Sequence, residues 1–418
     1  MNQSIPMAGE ARKAKVARGP AAMASLLVPG LLQATAGSCA SVPATPLPPV
    51  LATLGHPEGD CFPRLQKLLG EFQDGGILHI ERGRYVLATN QSIPLPANTT
   101  IRCDDGAVFT RTLGHRPVFT TGAVGNVHLI GGEWMGPHNG SASLWQADGT
   151  WDFSLESARV EGFATAMNVG SQAECFQFTF AHNACIRNTL TGLSVSAVAD
   201  LTLRGNTFEG NGDLAGVTHG VYLVSPDRGL VIGNRFLDNC CFGLQVSVTH
   251  KDKRAPRHLT ITENTFSGNG TARANGGAIL VSSAVDGVRD IRITHNLSDH
   301  DFRGICMLSG VDYVIADNAI NHPGSVGLYL GEELDPHRVI HGLVTRNLVA
   351  GSGAEALQFG LPGDASELTI TGNRFLNNAR GAAVRPGYPV PKRLRLSGNQ
   401  FEGTVRGPDI VPELAGLP

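Results

Sequence analysis

Charged residues are scarce in this sequence. Asp, Glu, Lys and Arg make up only 17% of the 418 residues, and the formal net charge is −3. Such a chain has no overall electrostatic attraction to nucleic acid, so we expect no nucleic-acid partner. The low content of charged helix formers, together with 52 glycines, disfavours helices and favours turns and strands. The composition therefore indicates an all-β protein.

Several motifs of common active sites are missing. The eight cysteines form no Cys-x-x-Cys pair and no Cys/His spacing typical of zinc sites. A Gly-rich phosphate loop and a Gly-x-Ser-x-Gly nucleophile motif are also absent. We predict no metal-binding residues and no cofactor, and Ca²⁺ is left open although no dense Asp cluster favours it. Cys185 and Cys306 are expected to be small packing residues, whereas Cys61 and Cys103 could form a disulfide in an oxidising compartment.

After the N-terminal region, the sequence has no run of about 20 apolar residues, so we expect no membrane span. Residues 1–45 differ from the rest, because basic residues precede the apolar run 21–36 and small residues follow it. This order is typical of a secretory signal cleaved near Ala36. The location of Cys39 just beyond that point leaves a lipid anchor open. We therefore interpret residues 1–45 as a leader and expect a secreted or periplasmic protein.

The sequence is rich in an internal repeat. From about residue 180 onwards, a short strand with alternating apolar residues precedes an Asn, an apolar residue follows two positions later, and a Gly-led strand comes next. In residues 201–227, Leu201 lies in the first strand, Asn206 and Phe208 follow it, and Gly220 opens the second strand. The repeated asparagines are Asn183, Asn206, Asn234, Asn264, Asn296, Asn318, Asn347, Asn373 and Asn399.

This spacing, in the twenties with irregular insertions, predicts stacked coils. No coil can bury its own apolar face, but stacking makes a continuous core. Asn tolerates the left-handed backbone of a sharp turn, and stacked amides can bond from coil to coil. The pattern resembles the right-handed parallel β-helix of the pectate-lyase-like superfamily over about residues 75–405. This resemblance implies a single-stranded, right-handed parallel β-helix with a short N-terminal capping helix.

The N-terminal cap is predicted within residues 46–97. Residues 60–73 place apolar side chains on one helical face, with Asp60 as the N-cap. The order of a short helix followed by a Gly-Gly-led strand also resembles the cap of the same family. The β-helix itself is predicted over residues 98–405, and residues 406–418 are interpreted as a Pro-rich tail.

The resemblance implies that an extended polymer binds in a groove along one sheet, lined by outward side chains. The Gly-led strands supply such a row, and its predicted members are Asn168, Ser194, Tyr222, Gln245, Ile279, Cys306, Tyr329 and Gln358. Because neighbouring coils are about 4.8 Å apart, Tyr222 and Gln245 are expected to be adjacent. Aromatic and amide groups on an extended face suit sugar rings.

Three charged loops, 249–258, 298–304 and 331–338, are predicted to flank this row. A uronate lyase or epimerase must neutralise a carboxylate, remove the C5 proton and supply an acid. The candidate catalytic residues for this chemistry are His219, Tyr222, His250, Lys251 and Arg254. The candidate substrate-binding residues are Gln245, Lys253, Arg303, Tyr329 and Gln358. We favour this chemistry because the basic loop, His219 and Tyr222 are expected to lie together.

Two alternatives stay open. A glycoside hydrolase needs two carboxylates, and its candidates are Glu332, Glu333, Asp335 and Asp301. Thr218-His219-Gly220 resembles the Gly-His-Gly stretch of polygalacturonase-like hydrolases, but 188–196 lacks the expected acid one coil earlier. Asp335-Pro336-His337 resembles part of an alginate C5-epimerase motif. The second alternative is a non-catalytic polysaccharide-binding protein or surface adhesin. In each case the expected partner is a polysaccharide, and for the favoured chemistry an acidic one.

Overall fold

A computed structural model of the chain describes residues 50–55, 59–138, 142–213, 218–248, 254–282, 288–308, 310–331, 340–360, 366–385, 388 and 393–403. These residues form successive coils of three short strands. Each strand pairs in parallel with its counterpart in the next coil. The architecture is the predicted parallel β-helix. The predicted leader and tail lie outside the described residues.

Three parallel sheets run along the β-helix, and we name them A, B and C in the order in which the chain passes through them. The 14 described strands of sheet A are Val50–Leu54, Gly76–Ile80, Thr99–Cys103, Gly125–Ile130, Trp151–Glu156, Cys175–Ala181, Val198–Arg204, Asp227–Ile232, Arg257–Thr262, Arg289–Thr294, Tyr313–Ala316, Ile340–Thr345, Ser366–Thr371 and Arg393–Ser397.

Sheet B consists of short strands, most of them three residues long. Its 13 described strands are Gly83–Leu87, Ala107–Arg111, Glu133–Met135, Arg159–Glu161, Ala184–Ile186, Thr207–Glu209, Arg235–Leu237, Thr265–Ser267, Leu297–Asp299, Ala319–Asn321, Leu348–Ala350, Arg374–Leu376 and Gln400–Glu402.

Sheet C contains the Gly-led strands of the sequence repeat. Its 12 described strands are Ile93–Pro94, Phe119–Gly122, Ser143–Asp148, Thr165–Val169, Leu193–Ser196, Val221–Val224, Phe242–Ser247, Gly277–Val281, Ile305–Met307, Leu328–Gly331, Glu355–Gly360 and Arg380–Val384.

One short helix, Phe62–Gly70, lies near the N-terminus of the described chain. It is shorter than the predicted 60–73. The N-cap residue is Cys61, so the predicted N-cap Asp60 lies one position before it. The Asp60 carboxylate accepts hydrogen bonds from the Phe62 N–H (3.1 Å) and the Ala88 N–H (3.0 Å). Leu65 and Leu69 are buried against the first coils. Within the described part of the chain, no helix has the length and apolar character needed to cross a membrane.

The interior is a continuous apolar core made of aligned rows. Phe208, Phe236 and Phe266 stack with ring centroids 5.2 and 4.6 Å apart. Cys185 is fully buried, as expected for a packing residue. Cys61 and Cys103 are both buried free thiols, so the disulfide considered from the sequence is not formed in this structure.

The predicted asparagine row is confirmed as a ladder of hydrogen bonds. The Oδ1 atom of each Asn accepts hydrogen bonds from the backbone N–H and the side-chain Nδ2 of the Asn in the preceding coil, as Asn264 does from Asn234 (both 2.9 Å). The ladder runs from Asn183 to Asn399. Along this stretch it satisfies buried backbone groups at the turns between sheets A and B.

A second ladder, which was not predicted from the sequence, lies at the turn between sheets B and C. Its members are Asn188, Asn211, Asn239, Asn269 and Asp301. Each follows a member of the first ladder by five residues. An Asn-x-x-x-x-Asn pattern in the sequence therefore marks both ladders.

Candidate functional site

One in-register row of outward side chains follows the outer face of sheet C. In coil order it consists of Thr120, Gln146, Asn168, Ser194, Tyr222, Gln245, Leu280, Cys306, Tyr329, Gln358 and Ala383. Seven of the eight predicted positions are confirmed, including the adjacency of Tyr222 and Gln245.

The prediction was wrong at Ile279, which is buried in the core, whereas Leu280 takes the outward position. Two successive glycines, Gly276 and Gly277, stand at the start of this strand. In the observed register Ala278 takes the position of Gly243, so counting from Gly277 placed the outward residue one position early. A slip of one residue exchanges the two faces of a strand. Alternation could not reveal the error because Ile279 and Leu280 are both apolar.

The N-terminal half of the row is polar and open to a ligand. Asn168, Ser194, Tyr222 and Gln245 are half-buried, and their side chains make no hydrogen bond to any residue that the structure describes. Their donors and acceptors are therefore available. Thr120 and Gln146 extend this half toward the N-terminus, and the Gln146 Nε2 already donates to Asp148 Oδ2 (2.9 Å). Neither residue was predicted from the sequence, because the Asn repeat becomes regular only after about residue 180.

The C-terminal half of the row is covered. Cys306 and Tyr329 are only 1% and 2% exposed, and they pack with Phe242 and Leu308 in a second apolar cluster outside sheet C. The Tyr329 hydroxyl accepts a hydrogen bond from Arg385 Nη1 (2.9 Å). Cys306 is thus a packing residue, as expected. The predicted substrate-binding residue Tyr329 is buried in this structure.

Gln358 lies beyond the covered stretch and is half-buried. Its Nε2 donates to Glu355 Oε2 (3.3 Å), and Glu355 also pairs with Arg380 (3.0 Å). Unlike Gln245, this amide therefore already has a partner within the protein.

His219 lies directly before the Tyr222 strand and is 2% exposed. Its ring centroid is 5.4 Å from that of Tyr222. The Phe242 N–H donates to Nδ1 (3.3 Å), so the proton of the neutral ring is on Nε2. Burial lowers the pKa of the imidazole from its ordinary value of 6.5 to about 4. His219 is therefore a neutral group next to Tyr222 at physiological pH.

The lowered pKa of His219 predicts a loss of stability in acid. The unfolded chain binds the proton more readily than the folded one, so the contribution of this residue is complete above pH 6.5 and is lost as the pH falls toward 4. This residue alone should lower the free energy of unfolding by about 2 kcal/mol between pH 7.5 and pH 5. Urea unfolding at both pH values measures it.

His219→Asn supplies a matched comparison, because it keeps a hydrogen-bond acceptor for the Phe242 N–H and removes the titration. Its unfolding free energy should depend less on pH than that of the wild type. His295→Asn, at a histidine whose side chain is 63% exposed, should retain the wild-type dependence. An unaltered pH dependence in His219→Asn would show that His219 does not titrate as described.

The described part of the basic loop does not lie beside His219. Arg254 pairs with Glu174, and both residues precede strands of sheet A. His219 instead precedes a strand of sheet C, so the two groups lie at opposite edges of that sheet, about 20 Å apart along the strands. This corrects the expectation that the basic loop and His219 lie together. His250, Lys251 and Lys253 lie outside the described residues.

The remaining candidates occupy the turn before sheet C or fall outside the described chain. Arg303 is half-buried at the opening of the strand Ile305–Met307, and its carbonyl accepts the Ala278 N–H (2.8 Å). The acids Glu332, Glu333 and Asp335 lie outside the described residues.

Asp301 is fully buried as the last member of the second ladder. Its Oδ1 accepts hydrogen bonds from the N–H and Nδ2 of Asn269 (both 2.8 Å), and its Oδ2 accepts one from Ser298 Oγ (2.6 Å). Burial raises the pKa of the carboxyl to about 6. As a fully buried ladder member, Asp301 does not face a substrate in this structure.

The described residues contain one cluster of potential metal ligands, formed by Asp299, His300 and His322. It lies at the turn that follows sheet B and does not belong to the row on sheet C. Asp299 ends a strand of sheet B, whereas the two histidines follow successive strands.

The family comparison decides the identity of this fold. The family model described as "Right handed beta helix region" matches residues 145–320 and 255–411. The chain belongs to this right-handed β-helix family. No curated protein sequence matches the chain.

Several solved structures resemble this β-helix. The A-module of the mannuronan C-5 epimerase AlgE4 from Azotobacter vinelandii has a TM-score of 0.66 and 14% identity, covering 82% of this chain and 99% of that one. The catalytic unit of a thermostable GH87 α-1,3-glucanase from Streptomyces thermodiastaticus has a TM-score of 0.54 and 13% identity, covering 84% and 67%. The Streptococcus pneumoniae surface protein and adhesin PfbA has a TM-score of 0.50 and 11% identity, covering 85% and 98%. At these identities the likeness shows the fold.

Proposed function

We propose that this β-helix binds an extended polysaccharide along the polar half of the sheet C row. One observation carries the proposal: Asn168, Ser194, Tyr222 and Gln245 stand in register on successive coils with uncommitted side-chain hydrogen-bonding groups. With Thr120 and Gln146 the polar stretch covers six coils, or about 24 Å. A linear polymer fits such a surface better than a small molecule, because the polar groups repeat along a line and, within the described part of the chain, do not close into a pocket.

The residue types suit a sugar chain. The Tyr222 ring offers an apolar face with a hydroxyl at its end, and amide and hydroxyl side chains can each donate and accept hydrogen bonds. The proposed ligand is an acidic, uronate-containing polymer. The basic loop 249–258 follows the Gln245 strand, and its cations would neutralise the uronate carboxylate.

The proposed reaction is β-elimination or C5 epimerisation. Tyr222 would exchange a proton with the sugar, and neutral His219 beside it would support the position of that ring. Lys251, which lies outside the described residues, is proposed to stabilise the negative charge that develops on the carboxylate; Arg254, paired with Glu174, is not assigned this role. The mannuronan C-5 epimerase named above supports this choice of chemistry. The leader-like N-terminus supports an extracytoplasmic location, where such polymers occur.

Tyr222→Phe is expected to lower turnover by about 100-fold, because it removes only the hydroxyl that transfers the proton. The unfolding free energy should barely change, since this hydroxyl has no partner among the described residues. The assay incubates the mature chain, from about Ala40, with acidic and neutral polysaccharides, with and without Ca²⁺. It follows unsaturated-uronate absorbance, new reducing ends and the NMR spectrum of the polymer. Lys251→Ala should also lower turnover.

Tyr313→Phe is the matched control. Tyr313 is 1% exposed in the core, and its hydroxyl lacks a hydrogen-bond partner within the described part of the protein. The same substitution there should leave turnover unchanged, and removal of a buried unpaired hydroxyl should not destabilise the fold. Unchanged turnover in both Tyr222→Phe and Lys251→Ala would refute the proposed chemistry.

A non-catalytic role is the second candidate, and the structure contains an observation in its favour. Among the described candidates for catalysis, His219 is buried and Arg254 is paired with Glu174. The likeness to the adhesin PfbA also supports this candidate. A binding protein would show saturable glycan binding that Gln245→Ala weakens, with no change in the polymer. New reducing ends without unsaturated uronate would instead favour a hydrolase and redirect attention to Glu332, Glu333 and Asp335.

A further inference from the structure

We propose that Asp299, His300 and His322 form a binding site for a divalent transition-metal ion such as Zn²⁺. The site lies on the turn after sheet B and does not depend on the function proposed for sheet C. It combines two imidazoles with one carboxylate, and one ligand atom from each residue lies within 4.8 Å of the other two.

The distances fit a small cation. His300 Nδ1 lies 3.0 Å and His322 Nδ1 lies 3.2 Å from the same atom, Asp299 Oδ1. Ligands at the bond lengths of zinc sites are separated by about 3.3 Å along the edge of a tetrahedron. Two of the three ligand separations are thus already close to those around a bound ion. The third, between the two imidazoles, is within 4.8 Å, and rotation of the exposed histidine side chains would close it.

The stacking of coils brings the two histidines together. His300 and His322 occupy the same turn position in consecutive coils, each with a positive φ (57° and 48°). The His300 N–H bonds to the Asn321 carbonyl (3.0 Å), and the His322 N–H bonds to the Ala350 carbonyl (2.7 Å). The imidazole centroids are consequently 4.8 Å apart, which equals the spacing of the coils. The backbone therefore presents the ligands from rigid positions.

The types of ligand in the site favour a transition metal over Ca²⁺. Neutral imidazole is a ligand for zinc, copper and nickel, whereas Ca²⁺ prefers six to eight oxygen ligands. The side chains of His300 and His322 are 67% and 61% exposed. The outer side of the site is accordingly open to water or to a ligand from another molecule, as in zinc sites with three protein ligands.

Elsewhere along the turn that follows sheet B, the equivalent positions hold an ion-pair cluster made of different residue types. Glu161 ends another strand of sheet B, and both Arg159 and Arg187 pair with it. Arg187 occupies the turn position that His322 occupies in its own coil. Guanidinium groups are permanently charged donors and cannot bind a metal. Two imidazoles converging on one carboxylate oxygen can each present a nitrogen lone pair to a cation.

The test is calorimetric titration of the full chain, stripped with EDTA and free of any histidine tag, with ZnCl₂ and separately with CaCl₂. The expected result is a zinc site that CaCl₂ neither fills nor competes for. The double variant His300→Gly/His322→Gly should bind zinc more than about 100-fold more weakly, because even loss of a residue behind a metal ligand costs about 10- to 100-fold.

Glycine suits both replacements because Gly268 and Gly351 occupy the same turn in the flanking coils, also with positive φ. Circular dichroism should therefore show an unchanged fold. His295→Gly is the control, since His295 is similarly exposed at a positive φ, and among the described residues its side chain pairs only with Asp317, at 4.0 Å. It should keep wild-type affinity. Absence of zinc binding in the wild type, equal binding by the double variant or competition by CaCl₂ would each overturn the proposal.

Discussion

Asn264→Ala is expected to lower the free energy of unfolding by about 4 kcal/mol. Asn264 is 1% exposed in the middle of the first ladder. Its Oδ1 accepts from the backbone N–H and Nδ2 of Asn234, and its Nδ2 lies within hydrogen-bonding distance of the Val231, Thr262 and Asn296 oxygens (2.9–3.0 Å). Alanine replaces none of these contacts. Each buried partner left without a hydrogen bond costs about 1–3 kcal/mol.

Urea unfolding measures this effect, and hydrogen exchange would locate it. Because each coil contacts only its neighbours, amide protection should fall first in the coils on either side of the substitution. Asn321→Ala is the matched control, since Asn321 lies in a sheet B strand, is half-buried and has no side-chain hydrogen bond to the described residues. Its unfolding free energy should change by less than about 0.5 kcal/mol. Equal effects in the two variants would show that the ladder has no special role.

Phe236→Ala is expected to destabilise the protein by about 3–5 kcal/mol. The Phe236 side chain is fully buried, and its ring lies between those of Phe208 and Phe266. Truncation removes apolar contacts on both sides of the ring. The cavity cannot collapse easily, since hydrogen-bonded strands fix the distance between coils. Denaturant unfolding gives the change in free energy.

Phe236→Leu separates the loss of volume from the loss of aromatic stacking. Leucine fills most of the space, so this variant should lose only about 1–2 kcal/mol. Phe401→Ala tests whether the effect depends on burial, because Phe401 lies at the exposed end of the same row. Phe401 stacks on Phe375 but is 42% exposed, and its truncation should have a much smaller effect than Phe236→Ala. A small loss in Phe236→Ala itself would mean that the row repacks freely.

Local patterns were sufficient to predict the coils. The alternation around Leu201 and Leu203 and the Asn that follows recur in coil after coil. The local sequence of each coil therefore predicts its own strands and turn. Stacking of the coils then repeats the same contacts along the β-helix. The same regularity predicted seven of eight positions in the sheet C row. It failed at Ile279 because two successive glycines made the first residue of the strand ambiguous, and an error of one residue exchanges the two faces of a strand.

The candidate site was less predictable because it depends on which edge of a sheet a residue occupies. His219 and Arg254 flank sheet C strands of neighbouring coils, which predicted that they lie close together. His219 precedes its strand and Arg254 follows the next one, so the width of sheet C separates them. The segment 298–301 shows the same limit. Ser298 and Asp301 face the interior and the second ladder, whereas Asp299 and His300 face outward. One charged run in the sequence therefore contributes to both the buried second ladder and the exposed cluster of Asp299, His300 and His322.

The sequence by itself determined the β-helix, its asparagine ladder and the apolar rows of its core, because each arises from contacts between residues that repeat with the coil. Only the tertiary structure decided which outward groups are available. Tyr329 is buried in an apolar cluster, whereas Tyr222 is half-buried. His300 and His322 lie side by side in consecutive coils. These outcomes depend on coil lengths and on side chains from distant turns, which no local pattern encodes.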